Sequence, residues 1–284
     1  MKSPGSDKRL TFEQREGTKP LPSQLEPKTL PRRLRVRLFD IIRNEMLNHA
    51  YDGEFLDPWL TLLFDTHVQH FERMPDEFEN KYYAQEETLK EVFSTGSYDQ
   101  VLGLIEFILR HRLCRPELGD EIDNVLLDER SAYRIVDQDT VAALGSDEDR
   151  QTIELAFADL AQDKFNGAKT HLKRAVGALT DGKYSDSIRE SIHAVESVAR
   201  ALEPGANSLS KALERLERKS TVHGALKKGF LALYGFTSSE EGIRHPLLET
   251  DSAQVDETDA LFMIGACAAF ISYLINKVRK TDPD

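Results

Sequence analysis

A chain of 284 residues has room for one large domain or two ordinary ones, and 40% hydrophobic residues suffice for a sizeable core. With 30% charged residues and a net charge of −12, it reads as a soluble acidic protein; a surface that coats nucleic acid broadly is excluded, although a local basic patch is not. The two cysteines, Cys114 and Cys267, have no Cys or His neighbours at ligand spacing, so neither a zinc site nor a disulfide framework is expected, and both read as buried thiols in a reducing compartment.

Met1 to Leu10 is polar and lacks the apolar core of a signal peptide, which points to a cytoplasmic location. Residues 1–30, punctuated by Pro4, Pro20, Pro22 and Pro27, read as a flexible arm. Leu34, Leu38, Ile41 and Ile42 then recur with helical period, predicting a helix from Pro31 to about Asn48. Further helices are expected over Pro58–Phe71 and Tyr98–Arg112, with a short one around Ile122, Val125 and Leu126. The period then changes to that of a hairpin, Ser131–Val136 and Thr140–Leu144, turning at Asp137, Gln138 and Asp139. Gly145–Asp149 is a polar break and the expected domain boundary.

Beyond it the apolar spacing is more regular. Ala168, Leu172, Ala175, Val176 and Leu179 form one amphipathic stripe. Ile188, Ile192, Val195, Ala199 and Leu202 form another, as do Leu261, Ile264, Ala268, Ile271 and Ile275. Alternation by four and three favours helices packed at shallow angles. Asp256 is a suitable N-cap for the last helix, with Asp259 supporting its first turn. Shorter helices fit Leu209–Leu216 and Leu226–Leu233, with Gly235 as a C-cap, giving a bundle of about five. The uncharged run Ala260–Ile275 is shorter than the roughly 18 apolar residues of a membrane span, so a buried central helix and no membrane association are expected.

No Walker loop, dinucleotide fingerprint, HExxH or GxSxG occurs, and nothing asks for a metal or an organic cofactor. Tyr234 to Pro246 reads as a glycine-bounded loop carrying Arg244 beside His245. Arg suits a phosphate and His a proton transfer near neutral pH, which makes the pair a candidate RNA site. The plainer alternative has both capping helices or pairing with Glu249. Glu190, Ser191, His193 and Glu196 lie within two turns of one helix, where they either line a pocket or form a buried network that fixes helix register. Arg32, Arg33, Arg35 and Arg37 read as phosphate contacts or as a face that pairs with the acidic surface.

Three stretches together resemble AbiJ-type abortive-infection proteins. They are Thr11–Leu25 with Leu34–Leu38; Ser131–Asp137; and Ser187–Glu196 followed by Leu233–Thr237, Gly242–His245 and Ala260–Met263. The resemblance implies an N-terminal helical module joined to a HEPN-like bundle. HEPN proteins commonly dimerise, and many are metal-independent endoribonucleases that use an Arg-x4–6-His motif at the dimer interface. Here that motif is not intact. Counting back from His245, the Arg would fall on Ser238, Ser239 or Glu240. The spacing occurs instead at Arg43 with His49 and at Arg218 with His223, and with eight histidines about one or two such matches arise by chance.

The expected fold is therefore all-α with one small hairpin near 131–144. Its parts are an arm (1–30), an AbiJ-type module (31–145) and a HEPN-like bundle (146–284). The expected function is anti-phage defence, with RNA bound or cleaved in a homodimer formed through the C-terminal bundle. Arg244 and His245 are the catalytic candidates, and Glu190, Ser191, His193, Glu196 and Tyr234 the binding candidates. The alternative is a non-catalytic interaction or sensor module that docks a protein partner from a defence system.

Overall fold

The computed structural model describes residues 25–144, 147–219, 222–239 and 255–281. By its internal contacts the chain divides into two units, Met1–Val141 and Ala142–Asp284.

The first unit begins with α1 (Arg32–Asn48), whose Leu34, Leu38, Ile42 and Met46 recur every four residues and are all fully buried. This stripe packs on α3 (Tyr82–Thr95) and α5 (Glu117–Asp128). Each such side chain contributes about 1.5–3 kcal/mol by leaving water. Arg33, Arg35 and Arg37 of α1 are structural rather than free, while Arg32 is exposed. Arg35 donates to the carbonyls of Leu30 (2.7 Å), Phe93 (3.3 Å) and Gly96 (2.7 Å), tying α1 to the end of α3. Arg33 and Arg37 pair with Glu129, and Arg37 also with Asp128.

A hairpin absent from the sequence reading follows α1. Strands β1 (Ala50–Tyr51) and β2 (Glu54–Phe55) pair antiparallel across Asp52-Gly53, both with positive φ (51° and 77°). Asp-Gly is the dipeptide that such a two-residue turn selects, but strands of two residues leave no alternation to read. Next comes α2 (Trp59–Asp65), which passes into one π-helical turn, Thr66–His70. Helix α3 was also missed, because its buried stripe is only Gln85, Leu89 and Phe93. Helix α4 (Tyr98–Arg110) opens on a capping box in which the Ser97 N–H donates to Gln100 Oε1 at 2.8 Å.

The expected second hairpin is present as β3 (Tyr133–Val136) and β4 (Thr140–Ala143), with the division between units falling inside β4. Its turn residues Asp137 and Gln138 both have positive φ (48° and 67°). The turn lies against α5 at Gly119, where a Cβ would stand 2.0 Å from the Gln138 carbonyl oxygen. Only glycine permits that approach.

In the second unit, α6 (Asp147–Asp159), α7 (Asn166–Thr180), α8 (Tyr184–Leu202), α9 (Leu209–Arg218), α10 (Gly224–Ser239) and α11 (Glu257–Thr281) form a helical bundle. Helix α8 is its hub and packs on α7, α9, α10 and α11. The described residues thus hold six helices here instead of about five. The charged opening of α6 concealed Ile153, Ala156, Phe157 and Leu160, which are buried at helical spacing. Helix α10 runs through Gly235 to Ser239, so Gly235 is not its C-cap and Tyr234 lies in a helix rather than a loop. Asp256 caps α11 as expected, accepting from the Thr258 and Asp259 N–H groups at 2.8 and 3.1 Å.

By length and composition alone α11 is long and apolar enough to cross a membrane, a test that the core helix of a soluble protein also passes; the helix extends well beyond the uncharged run that marks it in the sequence. Its Met263, Ile264, Cys267, Ala268, Ile271, Leu274 and Ile275 are buried, and the helix packs on α6, α7 and α8.

Candidate functional site

Helices α7 and α8 are joined by a tight turn. The Lys183 N–H donates to the Ala178 carbonyl (2.8 Å) and the Gly182 N–H to the Leu179 carbonyl (3.0 Å), with Gly182 at φ 73°. This is a Schellman arrangement, which satisfies the last carbonyls of α7 and folds the chain back upon it. As a result His171 of α7 meets Glu190 and His193 of α8. His171 Nδ1 lies 2.7 Å from Glu190 Oε2, and His193 Nδ1 lies 3.9 Å from Glu190 Oε1. The two imidazoles stand edge to face with centroids 5.2 Å apart. All three side chains are partly exposed, at 29% for His171, 15% for Glu190 and 35% for His193.

The environment of His193 favours its neutral form. Burial lowers its pKa first; Glu190 and Glu196 oppose this, while His171 and Arg189 reinforce it. A carboxylate-oriented imidazole beside a neutral one can exchange a proton with a ligand, and the three side chains can also hold a cation.

The structure thus brings together Glu190 and His193, with Glu196 near enough to act on His193 electrostatically. Ser191 is elsewhere. It is fully buried, and its hydroxyl donates to the Ser187 carbonyl at 2.8 Å, a contact internal to α8. Tyr234 is half-buried on α10, where its carbonyl accepts from the Thr237 hydroxyl at 2.8 Å. Arg244 and His245 lie outside the described residues, as does Glu249. His171 escaped the sequence reading because it sits on a different helix from its partners. The signal was indirect: residue 171 lies about three turns of helix before Gly182, and residue 190 about two turns after it.

At the chance Arg-to-His spacings, Arg43, His49 and His223 are each engaged locally. Arg43 pairs with Glu86 at 2.6 Å, while His49 Nδ1 lies 2.9 Å from the Glu45 carbonyl and its ring stacks on Trp59. His223 Nδ1 accepts from the Ala225 N–H at 3.2 Å and so starts α10.

The first unit contains a cleft of about 490 Å³ that sequence reasoning did not find, lined by Asp65, His70, Glu106, Phe107, Arg110 and His111 among others. His111 is fully engaged there: Nε2 is 3.0 Å from Asp65 Oδ2, and Nδ1 accepts from the Leu113 N–H. Arg110 pairs with Glu106 at 2.8 Å. His70, on the π-helical turn, packs on Phe71 and Phe107, and burial lowers its pKa. Its neighbours are thus already paired with one another, and the cleft offers less uncommitted chemistry than the α7–α8 cluster.

Comparison with curated proteins and with solved structures gives no match. Comparison with protein families gives one: residues 10–159 match the family described as AbiJ N-terminal domain 4, a stretch that covers more than half of the chain and takes in α1 to α6. The chain therefore belongs to the AbiJ N-terminal domain 4 family, a family of abortive-infection proteins.

Proposed function

We propose that this chain is an anti-phage effector whose C-terminal bundle is a HEPN-like module that acts on RNA as a cytoplasmic homodimer. The observation that carries the reading is the union, in one polypeptide, of an abortive-infection module with a helical bundle whose α10 is followed in the sequence by Gly242–His245. In the proposed reaction His245 takes the proton from a ribose 2′-hydroxyl as its oxygen attacks the adjacent phosphorus. Arg244 holds the phosphate oxygens as negative charge builds on them; the P–O5′ bond breaks, the 5′-oxygen of the next nucleotide leaves with a proton from water, and a 2′,3′-cyclic phosphate remains. No metal takes part in this step. The test is incubation of purified full-length protein with total cellular RNA in EDTA, comparing wild type with His245→Ala and Arg244→Ala. Cleavage by wild type that both variants lose supports the assignment. No cleavage, or equal cleavage by all three, removes it.

A second reading has its own support. The Arg-x4–6-His spacing is not intact and the net charge is −12, which favours a non-catalytic module that docks a protein partner from a defence system. Co-purification of a stoichiometric protein partner, with no effect of either variant on RNA, would select it.

A further inference from the structure

We propose that His171, Glu190 and His193 form a binding site for one zinc-type divalent ion, which clasps α7 to α8 and keeps one coordination position open. The donor set comes first. Two imidazoles and one carboxylate are the ligands of open, three-residue zinc sites, whereas magnesium and calcium call for oxygen donors throughout. Glu190 and His193 are spaced i and i+3 on α8, which turns both toward the facing helix, and His171 completes the set from α7.

Geometry is the second argument. The three ligand atoms all lie within 4.8 Å of one another. Bonds of about 2.0–2.1 Å to a tetrahedral ion require its ligands to be roughly 3.3–3.5 Å apart. The two Glu190-to-histidine separations, 2.7 and 3.9 Å, lie on either side of that value. All three side chains are partly exposed, and their rotation is what would close the set on an ion.

The third argument is what a plain hydrogen-bond network leaves unexplained. Such a network accounts for His171, which meets Glu190 at 2.7 Å. It does not account for His193, which makes no hydrogen bond among the described residues and stands 3.9 Å from the second carboxylate oxygen, beyond bonding distance. A cation between them gives the carboxylate and both rings a role. Glu196 adds further negative potential, while Arg189 is held by Asp186 at 2.7 Å.

The experiment uses full-length protein stripped with EDTA and desalted, then titrated calorimetrically with zinc chloride and, separately, with magnesium chloride. Cobalt(II) supplies an optical signature, since tetrahedral coordination gives an intense visible band. The expected result is one zinc per chain, no magnesium uptake, and a tetrahedral cobalt spectrum. His171→Gln and His193→Gln should each weaken zinc binding by about 10–100-fold or more, while His223→Gln leaves it unchanged. Far-UV circular dichroism checks each fold, and Glu190→Gln reads the same site should a histidine variant lose structure. No zinc uptake by wild type, or uptake that all three site variants retain, would overturn the proposal. None of these readouts involves RNA, so the outcome is separate from that of the cleavage assay.

Discussion

Gly119→Ala sets two effects of known size against each other. At an unencumbered helix position the change is stabilising, because alanine exceeds glycine in helix propensity by about 0.8–1.0 kcal/mol. At position 119 the new Cβ would stand 2.0 Å from the Gln138 carbonyl oxygen and 2.8 Å from its carbon. The obstacle is backbone in a three-residue turn, which cannot rotate aside as a side chain would. Overpacking costs about 1–3 kcal/mol, and a backbone obstacle at 2.0 Å belongs at the upper end of that range, so the clash outweighs the propensity gain and the net loss is on the order of 1–2 kcal/mol. For a unit of this size that is a drop of roughly 5 °C in Tm. Gly177→Ala in α7 is the matched control, since a Cβ there meets nothing within 4 Å, and it should gain about 0.5–1 kcal/mol. Urea denaturation followed by circular dichroism measures both. Equal or greater stability of Gly119→Ala would refute the docking of the β3–β4 turn on α5.

Leu172→Ala, which removes a fully buried side chain from α7, should cost about 2–5 kcal/mol in the same assay. Arg35→Ala should cost about 2 kcal/mol, because three backbone carbonyls lose a charged donor, whereas Arg37→Ala should cost under about 1 kcal/mol, since its ion pairs are partly solvated. His70 should make stability pH-dependent. Its folded pKa lies below the ordinary value of 6.5, so the unfolded chain takes up the proton first, and stability is lost as pH falls through 6.5 and on through the folded value. A His70→Asn variant should flatten that part of the profile, measured as urea midpoints between pH 7.5 and 5. Burial pushes the Cys114 thiol up to about 11 and that of Cys267 higher still, so iodoacetamide at pH 8 should label neither in the folded protein and both in urea.

How legible the fold was depended on how wide each buried stripe is. Helices α1, α7, α8 and α11 bury four or more apolar residues at helical spacing, and each was read from that spacing alone. Helix α3 buries two apolar residues and a glutamine, too narrow a stripe to announce itself. Helix α6 was hidden differently: its first residues are acidic, and charge at a helix N-terminus, which the macrodipole favours, resembles a linker when read without its buried half. Of the two readings of the basic residues of α1, pairing with the acidic surface fits two of them, which Glu129 and Asp128 receive. Arg35 was beyond sequence reasoning, because its three acceptors are main-chain carbonyls that exist only once α1 and α3 have packed.

The candidate site was half legible for a related reason. Glu190 and His193 share one helix, and their spacing alone places them side by side. His171 lies 19 residues upstream of Glu190 and is brought to it by the Schellman turn at Gly182. That turn was never identified as such, so the partner it delivers stayed hidden. Identifying the turn would have changed the chemistry inferred: Glu190 and His193 alone are an ordinary i, i+3 pair, whereas a third donor from the facing helix makes a set that can enclose an ion. The same reasoning separates Ser191 from its neighbours. One residue along an α-helix is a rotation of about 100°, enough to carry its hydroxyl from the α7-facing cluster into the core, where the Ser187 carbonyl accepts it. A cluster on a helix is thus defined by which facing residues reach it, and for α8 that was settled by the length of α7 and the glycine that ends it.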